Sequence, residues 1–345
     1  MFETPKRSHL ALITAPLEQG WRERLQNLSP ELQIEQWPSR PGNAVPSDLW
    51  HEVEILYMSF ATVLPTPEQA PQLRWVQLYS AGPDSIVDQP LFQTDVTFTT
   101  TSGLHAVTMA EYVFTVALAW FRRLPLVLQW QQQGQWPSRS ERRSLFVAEE
   151  LAGKTIGIVG YGSIGRQVAR LASAFGMRVL AMQRGDDHRD HGFLFPGVGD
   201  PEGLLPRRYY TPAQLHSMLG ESDIVVVAVP LTPQTRDMFD EAAFRAMKPA
   251  AFFVNVARGD ICNEAALLHA LEEKWIAGAA LDVFHQEPLP SDHPLWRLQN
   301  VFISPHTAGT TPRYDELAAT IFEENMSRYL ASQPLYNTVD KAQGY

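Results

Sequence analysis

The segment Gly160-Tyr161-Gly162-Ser163-Ile164-Gly165 constrains this chain more than any other. A short apolar run, residues 155–159, leads into it, and apolar residues at helical spacing, 164–175, lead out. Strand, glycine-rich turn and helix in that order are the context that gives a GxGxxG pattern its meaning. Gly160 permits the tight turn, Gly162 lets the backbone approach a pyrophosphate, and Gly165 lets helix and strand pack closely. The helix start adds unpaired N–H groups and a partial positive charge that suit phosphate. A glycine-rich turn with no ligand is the plain alternative, and the flanking pattern weighs against it. The expectation is an α/β chain built on a Rossmann-type doubly wound parallel sheet, with the six residues 160–165 as cofactor contacts.

The remaining rhythm agrees. Strand-length apolar runs recur at 178–182, 224–229, 251–256, 277–281 and 301–304, with helical stretches at 241–247 and 264–274. Strands that are continuously apolar, alternating with helices, indicate a parallel sheet covered on both faces. The first hundred residues read as a second α/β unit, with apolar runs at 10–14, 55–58, 75–78 and 96–99. A long apolar helix is expected over 108–121, then a polar loop to 150. Residues 185–212 break the pattern with recurring Gly, Pro and Asp, and read as an irregular insertion of either functional or disordered character.

A dinucleotide fingerprint usually carries a carboxylate about 20 positions on, bonding the ribose 2′-hydroxyl. Here that place holds Gln183, followed by Arg184. An amide beside a guanidinium tolerates a 2′-phosphate that a carboxylate would repel. This favours NADP(H) over NAD(H). Two alternatives stay open: Arg184 stacking on adenine or facing solvent, and Asp186 or Asp187 standing in for the missing acid.

At about 150 residues per domain, 345 residues point to two domains. A net charge of -10 argues against nucleic-acid or anionic-membrane partners. The single cysteine, Cys262, allows no internal disulfide and fits a reducing cytoplasm. Lys6 and Arg7 precede an apolar run at 10–13 that is too short for a signal-peptide core. Scattered histidines, with His105, His285 and His293 read as non-catalytic, lack the paired spacing of a metal site, so no metal is expected.

Three successive apolar runs in the last third end in polar residues unusual for a plain fold. They are Asn255-Val256-Ala257-Arg258-Gly259, Leu281-Asp282-Val283-Phe284 running on to Glu287-Pro288-Leu289, and Ser304-Pro305-His306. Ligands of open α/β sheets bind at the carboxyl ends of strands. Singly, each residue reads as a surface ion pair, a turn or a satisfied loop histidine. Jointly, behind a dinucleotide turn, they read as a site.

With Val229-Pro230-Leu231-Thr232-Pro233-Gln234-Thr235-Arg236 and Tyr79-Ser80-Ala81-Gly82, these motifs resemble the D-isomer-specific 2-hydroxyacid dehydrogenase family over almost the whole chain. That family includes phosphoglycerate, glyoxylate/hydroxypyruvate and D-lactate reductases. The resemblance implies hydride transfer between NAD or NADP and a small 2-oxo or D-2-hydroxy acid. Arg258 would bind the substrate carboxylate and polarise its carbonyl, His306 would donate the proton, and Glu287 would hold the other imidazole nitrogen and favour the charged ring. Backbone N–H groups of Tyr79, Ser80, Ala81 and Gly82 would grip the carboxylate. Val229, Pro230, Thr235, Val256, Ala257 and Asp282 would lie along the cofactor, with a structural role open for Asp282.

The resemblance further implies a discontinuous, smaller flavodoxin-like substrate domain, 1–105 and 307–345, around a dinucleotide-binding domain, 106–306. It implies a homodimer formed through the 108–121 helix and the arm after it. Two rivals share the fold: a nicotinamide-sensing corepressor-like binding protein and a phosphite-type dehydrogenase. Glu287 disfavours formate oxidation, for which the family uses glutamine.

Overall fold

The structure is a computed structural model that describes residues 9–38 and 44–344; Lys6 and Arg7 lie outside the described residues. It divides into two compact units. The first takes the described residues of Met1–Leu104, with His191–Phe193 and Thr311–Tyr345. The second takes His105–Asp190 and Leu194–Thr310.

The first unit holds five parallel strands: β1 (His9–Ile13), β2 (Leu32–Gln36), β3 (Ile55–Met58), β4 (Trp75–Leu78) and β5 (Thr97–Thr99). Their order is β2-β1-β3-β4-β5, the flavodoxin-like arrangement. β3 and β4 are buried throughout, as their unbroken apolar runs require. β2 is an edge strand in which only Leu32 and Ile34 are buried, and polar residues alternate with them. Half-burial produces alternation instead of a run, so β2 has no counterpart among the apolar segments. The helix Tyr314–Leu330 packs on this unit, with Phe322 stacked on Tyr57 at 4.3 Å between ring centroids.

The second unit holds seven parallel strands: β6 (Thr155–Val159), β7 (Arg178–Met182), β8 (Arg208–Tyr210), β9 (Ile224–Val227), β10 (Phe252–Asn255), β11 (Gly278–Leu281) and β12 (Val301–Ile303). The order β12-β11-β10-β9-β6-β7-β8 is the doubly wound order with one strand added, and its direction reverses between β6 and β9. Alternate side chains feed two cores. Ile224 and Val226 join Ile156 and Ile158 on one face, while Val225 and Val227 join Val159 on the other. The helix Ala106–Phe121 closes the first of these cores, with Trp120 stacked on Phe252 at 5.0 Å.

The irregular insertion is an ordered part of the fold. Arg166, one turn into the helix after the glycine turn, is 2% exposed. Its Nη1 donates to the Asp200 carbonyl at 2.7 Å, and its Nε lies 3.3 Å from the Asp190 carboxylate. The Tyr161 hydroxyl donates to the Asp200 carboxylate at 2.7 Å, and that carboxylate also accepts the N–H groups of Leu204 and Leu205. Gly199 N donates to Gln167 Oε1 at 2.7 Å, and His188 stacks on Tyr209 at 3.5 Å. The insertion ends in β8, which extends the sheet beside β7. Buried polar side chains, instead of a periodic apolar stripe, hold this segment, so hydrophobic periodicity does not reveal it. Within the first unit, Phe193 N donates to Asn337 Oδ1 at 3.0 Å.

Candidate active site

β10 ends at Asn255, whose side chain is 1% exposed. Its Oδ1 accepts from Ala257 N at 3.0 Å and its Nδ2 donates to the Arg258 carbonyl at 3.0 Å, which shapes the turn that delivers Arg258. The next residue has to be glycine. A Cβ on Gly259 would lie 2.0 Å from the backbone carbon of Phe284 and 2.4 Å from the nitrogen of His285. The loop carrying Arg258 therefore runs backbone-to-backbone against the loop that leads to Glu287.

Glu287 is held at both carboxylate oxygens. Oε1 accepts from Phe284 N at 3.0 Å, and Oε2 is 2.8 Å from His306 Nδ1. Burial raises the pKa of this carboxyl, but the bond to His306, the Phe284 N–H and the positive charges of His306 and Arg258 outweigh it and hold the group below the usual carboxylate range. Glu287 is thus ionised at neutral pH and accepts a proton-bearing Nδ1.

His306 follows β12 with φ 54°, a left-handed conformation uncommon for a residue with a side chain. A buried brace imposes it. Asp282, at the end of β11, is fully buried, and its carboxylate accepts from Ser304 Oγ at 2.5 Å, Thr307 N at 2.9 Å and Ala308 N at 2.9 Å. Tyr112, from the long helix, donates to Ser304 Oγ at 2.7 Å. The backbone N–H of His306 donates to the Asp282 carbonyl at 2.8 Å. The structure thus brings Arg258, Glu287 and His306 to the ends of three neighbouring strands.

The glycine turn has the close backbone packing and the open face that a pyrophosphate would need. A Cβ on Gly160, at φ 103°, would lie 2.6 Å from the Ala228 carbonyl oxygen, and one on Gly165 would lie 2.2 Å from the Gly160 oxygen. At Gly162 nothing lies within 4 Å, so the absent side chain leaves open space. The helix Ser163–Ala174 begins there with no side-chain cap, leaving its first N–H groups to a ligand. Pro230 is exposed, and Ser163, Ile164, Val229 and Thr235 are partly so; Thr235 Oγ1 donates to the Pro230 carbonyl at 2.6 Å. Gln183 Nε2 donates to the Asp187 carbonyl at 2.7 Å, and Arg184 is exposed.

Four residues expected along the cofactor have side chains engaged within the protein. Val256 and Ala257 are buried in the two cores, the ring of Tyr161 turns into the insertion, and Asp282 spends its carboxylate on the His306 turn. Their side chains support the site from behind. In the first unit, Ser80 Oγ donates to the Gly82 carbonyl at 2.6 Å. The Tyr79 carbonyl accepts from Thr101 Oγ1 and the Tyr314 hydroxyl, and its phenol donates to Asp315. Ala81 is partly exposed in this loop.

Residues 114–308 match the profile described as "D-isomer specific 2-hydroxyacid dehydrogenase, NAD binding domain". A glyoxylate reductase of Korarchaeum cryptofilum is 35% identical over 277 residues, covering 79% of this chain and 78% of the relative. The chain belongs to the D-isomer specific 2-hydroxyacid dehydrogenase family. Solved structures agree. A family protein of Aeromonas salmonicida is 31% identical with a TM-score of 0.77, covering 97% of this chain and 99% of that one. Another, from Xanthobacter autotrophicus in complex with NADPH and MES, is 30% identical with a TM-score of 0.77, covering 98% and 100%. The protein is an NAD(P)-dependent 2-hydroxyacid dehydrogenase, a nicotinamide-dependent 2-oxo acid reductase. Tyr112 is a supporting residue that no sequence motif marked, and Asn255 and Ser304 lie inside motifs that gave them no role; the contacts they make supply it.

Proposed function

We propose that this enzyme reduces a small 2-oxo acid of the glyoxylate or hydroxypyruvate type to the D-2-hydroxy acid, with His306 as proton donor. The 2.8 Å contact between His306 Nδ1 and Glu287 carries this reading. The ionised Glu287 carboxylate accepts from Nδ1 and fixes the ring, which leaves Nε2 to pass a proton to the substrate oxygen. Arg258 contributes a planar fork that takes the substrate carboxylate and draws charge from the carbonyl. The nicotinamide, when bound, supplies the hydride. Relatives named glyoxylate reductase support the substrate class. A panel of 2-oxo acids, followed at the nicotinamide absorbance with NADH and NADPH in parallel, tests it. Turnover of glyoxylate or hydroxypyruvate is expected; no turnover of any 2-oxo acid, or oxidation of phosphite instead, would refute it.

NADP(H) is the preferred cofactor in this proposal. Arg184 stands exposed two residues beyond β7, no carboxylate occupies position 183, and the Xanthobacter relative was solved with NADPH. Arg184→Ala should raise KM for NADPH by about tenfold, the loss of one charge-assisted phosphate contact, and change KM for NADH much less. Equal effects on both would remove Arg184 from the 2′-phosphate.

The enzyme is proposed to act as a homodimer in the cytoplasm. The helix Leu124–Gln132 has no buried residue, and Leu124, Val127, Leu128, Trp136 and Val147 are exposed, Trp136 at 86%. An exposed apolar arm of this kind suits an association surface. Light scattering at micromolar concentration should give twice the chain mass, and Leu128→Asp with Trp136→Asp should halve it. The buried Cys262 is the single cysteine and fits a reducing compartment. Among the described residues no helix is long and apolar enough to cross a membrane.

A further inference from the structure

The turn that carries His306 is held at one end by Asp282, through Thr307 N and Ala308 N. Its other end is held by a residue that the catalytic roles leave unused. His105, the first residue of the second unit, places Nδ1 2.9 Å from the carbonyl oxygen of Gly309. A carbonyl only accepts, so this contact fixes the tautomer with the proton on Nδ1. Thr108 Oγ1 reaches the same oxygen at 3.4 Å. The ring also crowds Gly309. A Cβ would lie 2.9 Å from Nδ1 and 3.3 Å from Cε1 and Cγ. Gly309 is three residues past His306, and Thr310 N closes the turn on the Thr307 carbonyl.

We infer that His105 is a positioning residue for the proton transfer: its Nδ1–H bond to Gly309 fixes the 306–309 turn, and so the placement of the His306 ring. This inference rests on the acid role proposed for His306. Electrostatics agree with the geometry. Burial disfavours a charged His105 ring, the bond to Gly309 works the other way, and the positive charges of Arg258 and His306 side with burial, so its pKa is held below the usual imidazole range. A neutral ring anchors the turn without adding a further positive charge beside those two residues.

The test uses the full chain, with NADPH and its best 2-oxo acid. His105→Ala should lower kcat by at least about tenfold, since small misplacements of a reacting group are costly, while Kd for NADPH by fluorescence titration stays within about twofold. His105→Asn offers an amide N–H near the position of Nδ1–H and should recover kcat to within about threefold of the parent. Gly309→Ala, which pushes the ring away, should reproduce the loss in kcat with NADPH affinity kept. A general structural role would instead weaken NADPH binding in step with kcat and would not be rescued by asparagine. Parental kcat in His105→Ala, or no recovery in His105→Asn, overturns the inference. If His105→Ala does not accumulate as folded protein, parental kcat in Gly309→Ala overturns it. His306→Gln, assayed alongside, separates the two ideas: parental turnover there removes the acid role itself, whereas an inactive His306→Gln beside a normal His105→Ala removes only the positioning role.

Discussion

His306→Gln is expected to lower kcat for 2-oxo acid reduction by about 10²–10⁴-fold, the usual contribution of a positioned general acid. Glutamine keeps a donor and roughly the length of the ring, so it can still bond Glu287, whose carboxylate is now 2.8 Å from Nδ1. What it cannot do is release a proton at neutral pH. NADPH affinity should stay within about threefold, because the glycine turn and the start of the helix Ser163–Ala174 are built without His306. The check is kcat beside a direct titration of cofactor. Turnover within about threefold of the parent would sink the acid role, since no general acid contributes so little.

Gly259→Ala should be nearly as damaging although it changes no functional group. The added carbon would stand 2.0 Å from the Phe284 backbone carbon and 2.2 Å from its oxygen, so no rotamer relieves it. The two loops must separate by an ångström or more. Such overpacking costs about 1–3 kcal/mol of stability, which leaves most of the chain folded given a typical total of about 5–15 kcal/mol. Catalysis has less tolerance. Arg258 precedes the clash and Glu287 follows it, so their separation changes directly, and a displacement of about 1 Å can cost 10²-fold in rate. kcat/KM should fall by about 10²-fold with circular dichroism unchanged. Parental kcat/KM would show that the two loops are not mechanically linked. Alanine at Gly162, where nothing lies within 4 Å, should instead weaken NADPH binding while sparing the fold.

Much of this architecture was legible along the chain because it is written in local, apolar terms. Buried parallel strands read as unbroken runs, and Ile224–Val227 and Thr155–Val159 are buried at every position. β2 and β8 were not legible, for the opposite reason. Both are edge strands that bury few residues, Leu32 and Ile34 in one and Tyr210 in the other, so neither leaves an apolar run. The insertion was visible as an interruption but not as a structure. Its order comes from Arg166, Tyr161 and Gln167 reaching across 30 to 40 positions to backbone and carboxylate partners.

The sequence by itself determined the order of the strands that matter and the residues at their ends. Arg258, Glu287 and His306 each follow an apolar segment, and a doubly wound sheet presents the ends of such segments on one edge. The glycine turn was likewise decided locally, because backbone φ and the absence of a Cβ are properties of single residues. Only the tertiary structure decided how the three side chains are held. Asn255 shapes the Arg258 turn, Asp282 and Ser304 shape the His306 turn, and Tyr112 reaches Ser304 from 192 residues away. Side-chain hydrogen bonds such as those of Ser304 to Asp282 and Tyr112 have no period and no spacing, so nothing along the chain announces them. They exist only once burial in the folded protein has brought the groups together and removed water as a competing partner.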